Sequence, residues 1–277
     1  MLASGSAAPR ADRRLGRDRV TRLTAAVLLL VAALAWVVLV LQVVGMGAAP
    51  MAEPRMAAEG AGPWIADAAV FLAAWGVMMA AMMLPSATPM IALYGAIRRG
   101  AAATAERGAP TVLFALVYLV VWLAFGVPVY LVGLALGALA ESSPTIAALV
   151  PRGVALVLLA AGVYQFSSLK RACLRVCRSP IAFLLGHWRA GGRGTLRLAL
   201  LHAAYCVGCC WALMAVLVAA GAMGLAWVLL IAAFVAAEKL LPGGERVARA
   251  GGVALVVLGL LVAVQPDVAI QLRGATM

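Results

Sequence analysis

Long apolar runs, broken by short clusters of arginine, glycine and proline, dominate the pattern of this chain. A helix that crosses about 30 Å of hydrocarbon needs about 20 mostly apolar residues. Seven stretches meet or approach that length: Thr24–Val44, Ala66–Tyr94, Thr111–Ala138, Ala147–Leu169, Leu198–Ala220, Leu225–Leu241 and Gly251–Val264. Backbone polar groups in lipid must be paired within the segment, so each run predicts a helix. The fold class expected is all-α, a polytopic transmembrane helical bundle of about seven spans. The sixth and seventh are short, and a tight hairpin reaching the far side by local thinning is the alternative. Pro85, Pro89 and Pro128 predict kinks or tilts in the second and third spans.

Composition narrows the class further. Hydrophobic residues make up 66% and charged residues 12% of the 277 positions, with a mean hydropathy of +1.07. Soluble domains carry about a quarter charged residues, so a soluble enzyme, a disordered tail and a nucleic-acid-binding module are excluded. The net charge of +12 then reads as a topology signal. With the N-terminus inside, every Lys and Arg except Arg55, Arg152 and Arg273 falls on an inner segment, which places the C-terminus outside. The layout expected is a basic cytoplasmic tail at 1–22, one transmembrane domain at 23–266 with a basic cytoplasmic loop at 170–197, and a short outer tail at 267–277. The first run exceeds the 7–15 residues of a signal-peptide core and reads as a retained helix.

Soft side chains are the remaining excess. The fifth span reads His202-Ala-Ala-Tyr-Cys206-Val-Gly-Cys209-Cys210-Trp-Ala-Leu-Met214. At about 100° per residue, His202 and the three cysteines fall within about 100° of one another, with Met214 at the edge. Thiolate and thioether suit Cu(I), and thiolate with imidazole also suits Zn(II). The second span carries Met78, Met79, Met82 and Met83 within about 140° of helix circumference, then Met90 beyond the prolines. Methionine is also flexible filler, and free cysteine packs as a small hydrophobe. Met46, Met51 and Met56, in the first outer loop, read mainly as part of an alanine-rich loop. In the inner loop Cys173 and Cys177 stand at i and i+4 among cations that favour thiolate. Asp67, Glu238, Lys239, Tyr164 and Gln165 are polar groups at or near the span ends.

Together these blocks carry a resemblance. Met79-Ala-Ala-Met-Met-Leu-Pro85, Ala161-Gly-Val-Tyr-Gln-Phe166, Lys170-x2-Cys-Leu-x2-Cys-Arg-x-Pro180, Tyr205-Cys-Val-Gly-Cys-Cys-Trp-Ala-Leu-Met214 and Glu238-Lys239 resemble a bacterial family of predicted metal-binding integral membrane proteins. The resemblance runs from about Trp75 to Gly251. It implies a protein of the bacterial inner membrane linked to copper supply. Carried over residue by residue, it points to Cys206, Cys209, Cys210, Cys173, Cys177, Met79, Met82 and Met83. Where that family tends to read Gly-x-Met-Asn, this chain has Ala222-Met223-Gly224 and lacks the Asn.

The expectation that follows is a Cu(I)-binding membrane protein in copper transport or delivery, more a carrier than an enzyme. Its site would lie between the methionine stripe and the His/Cys stripe, with Cys173 and Cys177 exchanging the ion on the cytoplasmic side. Membrane lipid, a metal ion and a copper enzyme or soluble copper carrier are the partners expected; nucleic acid is not. No Gly-x4-Gly-Lys-Ser/Thr loop occurs, so nucleotide-driven transport is not expected. The alternative is a membrane thiol oxidoreductase using its cysteine pairs with a quinone or protein partner.

Overall fold

The computed structural model describes residues 8–45, 61–101, 109–219 and 224–269. Its helices run in the order α1 (Ala8–Gly45), α2 (Ala61–Ala101), α3 (Ala109–Ser142), α4 (Pro144–Ala147), α5 (Val150–Gln165), α6 (Ser168–Arg178), α7 (Pro180–His187), α8 (Gly191–Ala219), α9 (Leu225–Leu240) and α10 (Gly244–Val264). No strand occurs among the described residues. Among the described residues, five helices are long and apolar enough to cross a membrane: α1, α2, α3, α8 and α10. Counting α5 and α6 as one broken span makes six.

The fourth expected span bends and the seventh, expected short, is the 21-residue α10, while the sixth is short as expected; each has a local reason. The fourth stops at Gln165, and the chain turns by 63° into α6. Ser167 starts the new helix as an N-cap, its hydroxyl accepting from the Lys170 backbone N–H at 3.0 Å. The sixth is only 16 residues long, since Pro242 and Gly243 follow it. Gly243 has φ +83°, a left-handed conformation open to glycine, and α10 starts at once behind it. At the other end, α1 begins at Ala8, so the helix continues through the basic tail. The basic stretch 170–197 is mostly helix rather than loop, folding as α6, α7 and the first turns of α8.

The prolines of α2 do not end it. Pro85 and Pro89 each remove one backbone donor from the helix, and the two hydroxyls beside them bond carbonyls of the preceding turn. Ser86 Oγ donates to Met83 O at 3.0 Å, and Thr88 Oγ1 donates to Leu84 O at 2.8 Å.

The buried core follows α2 and α8. α2 packs against α1, α3 and α9, while α8 packs against α3, α5, α6 and α9. Trp75 Nε1 on α2 donates to Trp122 O on α3 at 2.9 Å. α5 and α10 approach backbone to backbone: a Cβ on Gly162 would sit 2.9 Å from Gly252 O, and one on Gly252 would sit 3.0 Å from Gly162 O. Small residues give such close crossings their van der Waals contact, which drives helix association where lipid is as apolar as leucine. The outer faces of α1, α3 and α10 carry exposed Leu and Val, as lipid-facing helices would.

Candidate metal centre

The i, i+3, i+4 spacing on α8 places Cys206, Cys209 and Cys210 on one buried face, midway along the 29-residue helix. Their sulfurs all lie within 4.8 Å of one another. Cys209 Sγ is 3.4 Å from Cys210 Sγ and also contacts Cys206 O at 3.2 Å. All five cysteines are free thiols. Two sulfurs bound at about 2.3 Å to one ion lie about 3.8 Å apart in tetrahedral geometry and about 4.6 Å apart in linear geometry. The observed spacing therefore suits a shared ion with little movement.

A fourth thiol comes from outside α8. The bend at Phe166 lays α6 across α8, and Cys177 Sγ reaches 3.9 Å from Cys209 Sγ. Cys173, one turn earlier on α6, is 5% exposed and packs on Gly208, where an added Cβ would lie 2.8 Å from its Sγ. The two thiols therefore face α8. The flanking Arg171 and Arg175 are exposed on the other side of α6, whereas Lys170 of the same helix turns inward toward α8.

Charged residues line the cluster more closely than expected. Lys239 Nζ lies 3.0 Å from Cys206 Sγ and 3.3 Å from Ser86 Oγ, and so bridges α9, α8 and α2. Tyr118 OH on α3 is also 3.0 Å from Cys206 Sγ. Lys170 Nζ donates to Cys209 O and to Glu238 Oε2, both at 2.7 Å. This ion pair is buried, with side chains 1% and 0% exposed. Arg178 donates to Glu238 O, and Tyr164 OH donates to Gly208 O. The carbonyls of Gly208 and Cys209 thus each receive a side-chain donor from the α5–α6 corner.

Sequence reasoning had placed Glu238 and Lys239 near a span boundary and Lys170 in a loop. Tyr118 went unmarked, although a phenol in the middle of an apolar run needs a partner. Ser167 is an N-cap residue type, a helix-start signal that places Lys170 in the first turn of a helix.

The other expected ligands are placed less decisively. Met78, Met79, Met82, Met83, Met90 and Met214 are all nearly inaccessible and share one buried core with the cysteines. α2 and α8 meet directly where Tyr94 OH bonds Thr195 Oγ1 at 2.7 Å; beside the thiols, Lys239 stands between them. His202 is buried one turn from Cys206, and its nitrogens are not in the 4.8 Å group. Met46, Met51 and Met56 lie outside the described residues.

A family model described as PpoB2, copper chaperone, matches residues 72–262, more than half of the chain. The chain belongs to this family. No curated protein and no solved structure matches it. The matched region takes in α2 from Leu72, all of α3 to α9 and most of α10, and so every side chain of the thiol cluster.

Proposed function

We propose that this chain is a multi-pass protein of the bacterial cytoplasmic membrane that binds Cu(I) and passes it to a copper enzyme or soluble carrier. The observation that carries this reading is the convergence of three buried thiols on α8 within 4.8 Å, with a fourth from α6 at 3.9 Å from Cys209. Membership of a copper-chaperone family supports it. Cys206, Cys209 and Cys210 are the principal ligands, Cys177 exchanges with Cys209, and the methionines of α2 with Met214 give the surrounding core a soft, neutral lining. Seven crossings are the arrangement proposed, with α5 and α9 as the short ones and the N-terminus inside.

Charge balance favours a thiolate complex here. Lys170 and Glu238 cancel each other, which leaves the ammonium of Lys239 against Cys206. A Cu(I) ion held by two of these sulfurs as thiolates, with the third kept as a neutral thiol, carries one negative charge, and Lys239 offsets it. Buried charges persist in a membrane protein when paired in this way. Zn(II) is the second ion that these donors accommodate.

Metal analysis of the full chain, purified anaerobically, tests the proposal. About one copper per chain is expected in the wild type, and a loss in the Cys206→Ser/Cys209→Ser/Cys210→Ser variant. Equal metal content in both would end it. The approach of Cys177 to Cys209 across two helices also favours, as a second reading, a thiol oxidoreductase. That reading requires a Cys177–Cys209 disulfide under mild oxidant and a trapped mixed disulfide with a partner.

A further inference from the structure

His202 is an anomaly in the core. It is 3% exposed, and neither Nδ1 nor Nε2 has a hydrogen-bond partner. Buried polar groups are paired as a rule, and an orphan costs free energy, so a histidine with two free nitrogens calls for an explanation. Leucine would fill the same space without that cost.

Its surroundings supply one. Three aromatic rings enclose the imidazole: Tyr118 at 5.6 Å, Phe183 at 5.8 Å and Phe114 at 5.9 Å between centroids. Tyr118 continues to the thiols, since its hydroxyl contacts Cys206 Sγ. Phe183, on α7, leads the other way. Its ring stacks on half-buried His187 at 4.8 Å. His187, Phe183, His202, Tyr118 and Cys206 therefore form a continuous column from the α7 surface to the cluster. Imidazole nitrogens ligate soft and borderline metal ions, and aromatic faces attract a cation between ligands. The three-thiol group closes without His202, so the imidazole is free to act on the way in.

We propose that His202 is a transfer position for Cu(I), through which the ion reaches the α8 thiols from the α7 side, with Phe183 as the barrier between it and His187. The idea rests on Cu(I) being the cargo of the thiol cluster, and its test separates the two claims. Metal-free full-length protein in detergent is mixed anaerobically with Cu(I)–acetonitrile, and growth of the sulfur-to-copper charge-transfer absorbance is followed by stopped flow.

His202→Leu is expected to reach the wild-type end point about tenfold more slowly, equal to about 1.4 kcal/mol on the barrier. His202→Met, which restores a soft donor, is expected to recover most of the rate, and Phe183→Ala to accelerate loading. Loading of His202→Leu at the wild-type rate would overturn the transfer role. So would an unchanged rate with a lower end point, which would make His202 a ligand of the final site. If His202→Leu does not fold, the comparison passes to His202→Gln, which keeps the core polar but supplies no imidazole; wild-type loading by that variant would equally overturn the role. Wild-type protein that takes up no copper at all would instead defeat the cluster reading.

Discussion

The ion pair between Lys170 and Glu238 allows the arrangement around the thiols to be tested by stability alone. Glu238→Gln removes one charge from a contact of 2.7 Å whose side chains are 1% and 0% exposed. Removing one partner of a buried pair costs about 3–5 kcal/mol, because the other charge is stranded. Lys170 keeps Cys209 O as an acceptor, so the lower end, about 3 kcal/mol, is expected. A chain of this size loses about 2–4 °C of Tm per kcal/mol, so the midpoint should fall by about 6–12 °C. Intrinsic fluorescence during heating in detergent reads this. The double variant Lys170→Met/Glu238→Leu removes both charges and keeps the bulk, and should recover most of the loss. A single variant within about 0.5 kcal/mol of wild type, as for an exposed pair, would refute the reasoning. A double variant no more stable than the single would refute it equally.

The remaining predictions concern neighbouring contacts. Cys177→Ser should weaken Cu(I) binding by about tenfold, or about 1.4 kcal/mol, while Cys173→Ser, at the Gly208 packing contact, leaves it near wild type; competition with a Cu(I) chelator measures both. Tyr118→Phe removes the hydroxyl contact to Cys206 Sγ and should cost about 0.5–1.5 kcal/mol in stability with the fold intact, read from the same thermal melts. Gly162→Leu forces apart the α5–α10 crossing, where even a Cβ meets backbone at 2.9 Å. It should lower stability by about 1–3 kcal/mol or more, whereas the same change at Gly137, where a Cβ meets nothing within 4 Å, should be near neutral.

Most of the helices were legible because a simple rule covers them: an apolar run of about 20 residues reads as a helix. The rule does not register a bend. Nothing in hydropathy marks the 63° turn after Gln165, and that turn carries Cys177 onto α8 and Lys170 into the core. The thiol triplet was legible because its members share one helix face at fixed spacing. The charged residues beside it were not, since their partners lie 33 to 68 residues away in sequence: Lys239 with Cys206, and Lys170 with Cys209 and Glu238. A lysine next to a glutamate at the end of an apolar run reads as a solvated boundary until a third helix covers it. The methionine stripe lay between these cases. Its burial follows from α2 being central, but periodicity alone could not show that α2 reaches Cys206 through Ser86 and Lys239.

X-ray absorption at the copper edge, on anaerobically loaded full-length protein, reads whether these thiols hold copper. The account predicts an edge typical of Cu(I) and a first shell of sulfur at about 2.3 Å, with nitrogen or oxygen at most a minor part. That shell should disappear in the Cys206→Ser/Cys209→Ser/Cys210→Ser variant. A first shell of nitrogen and oxygen in the wild type, or a sulfur shell that survives in the variant, would contradict it.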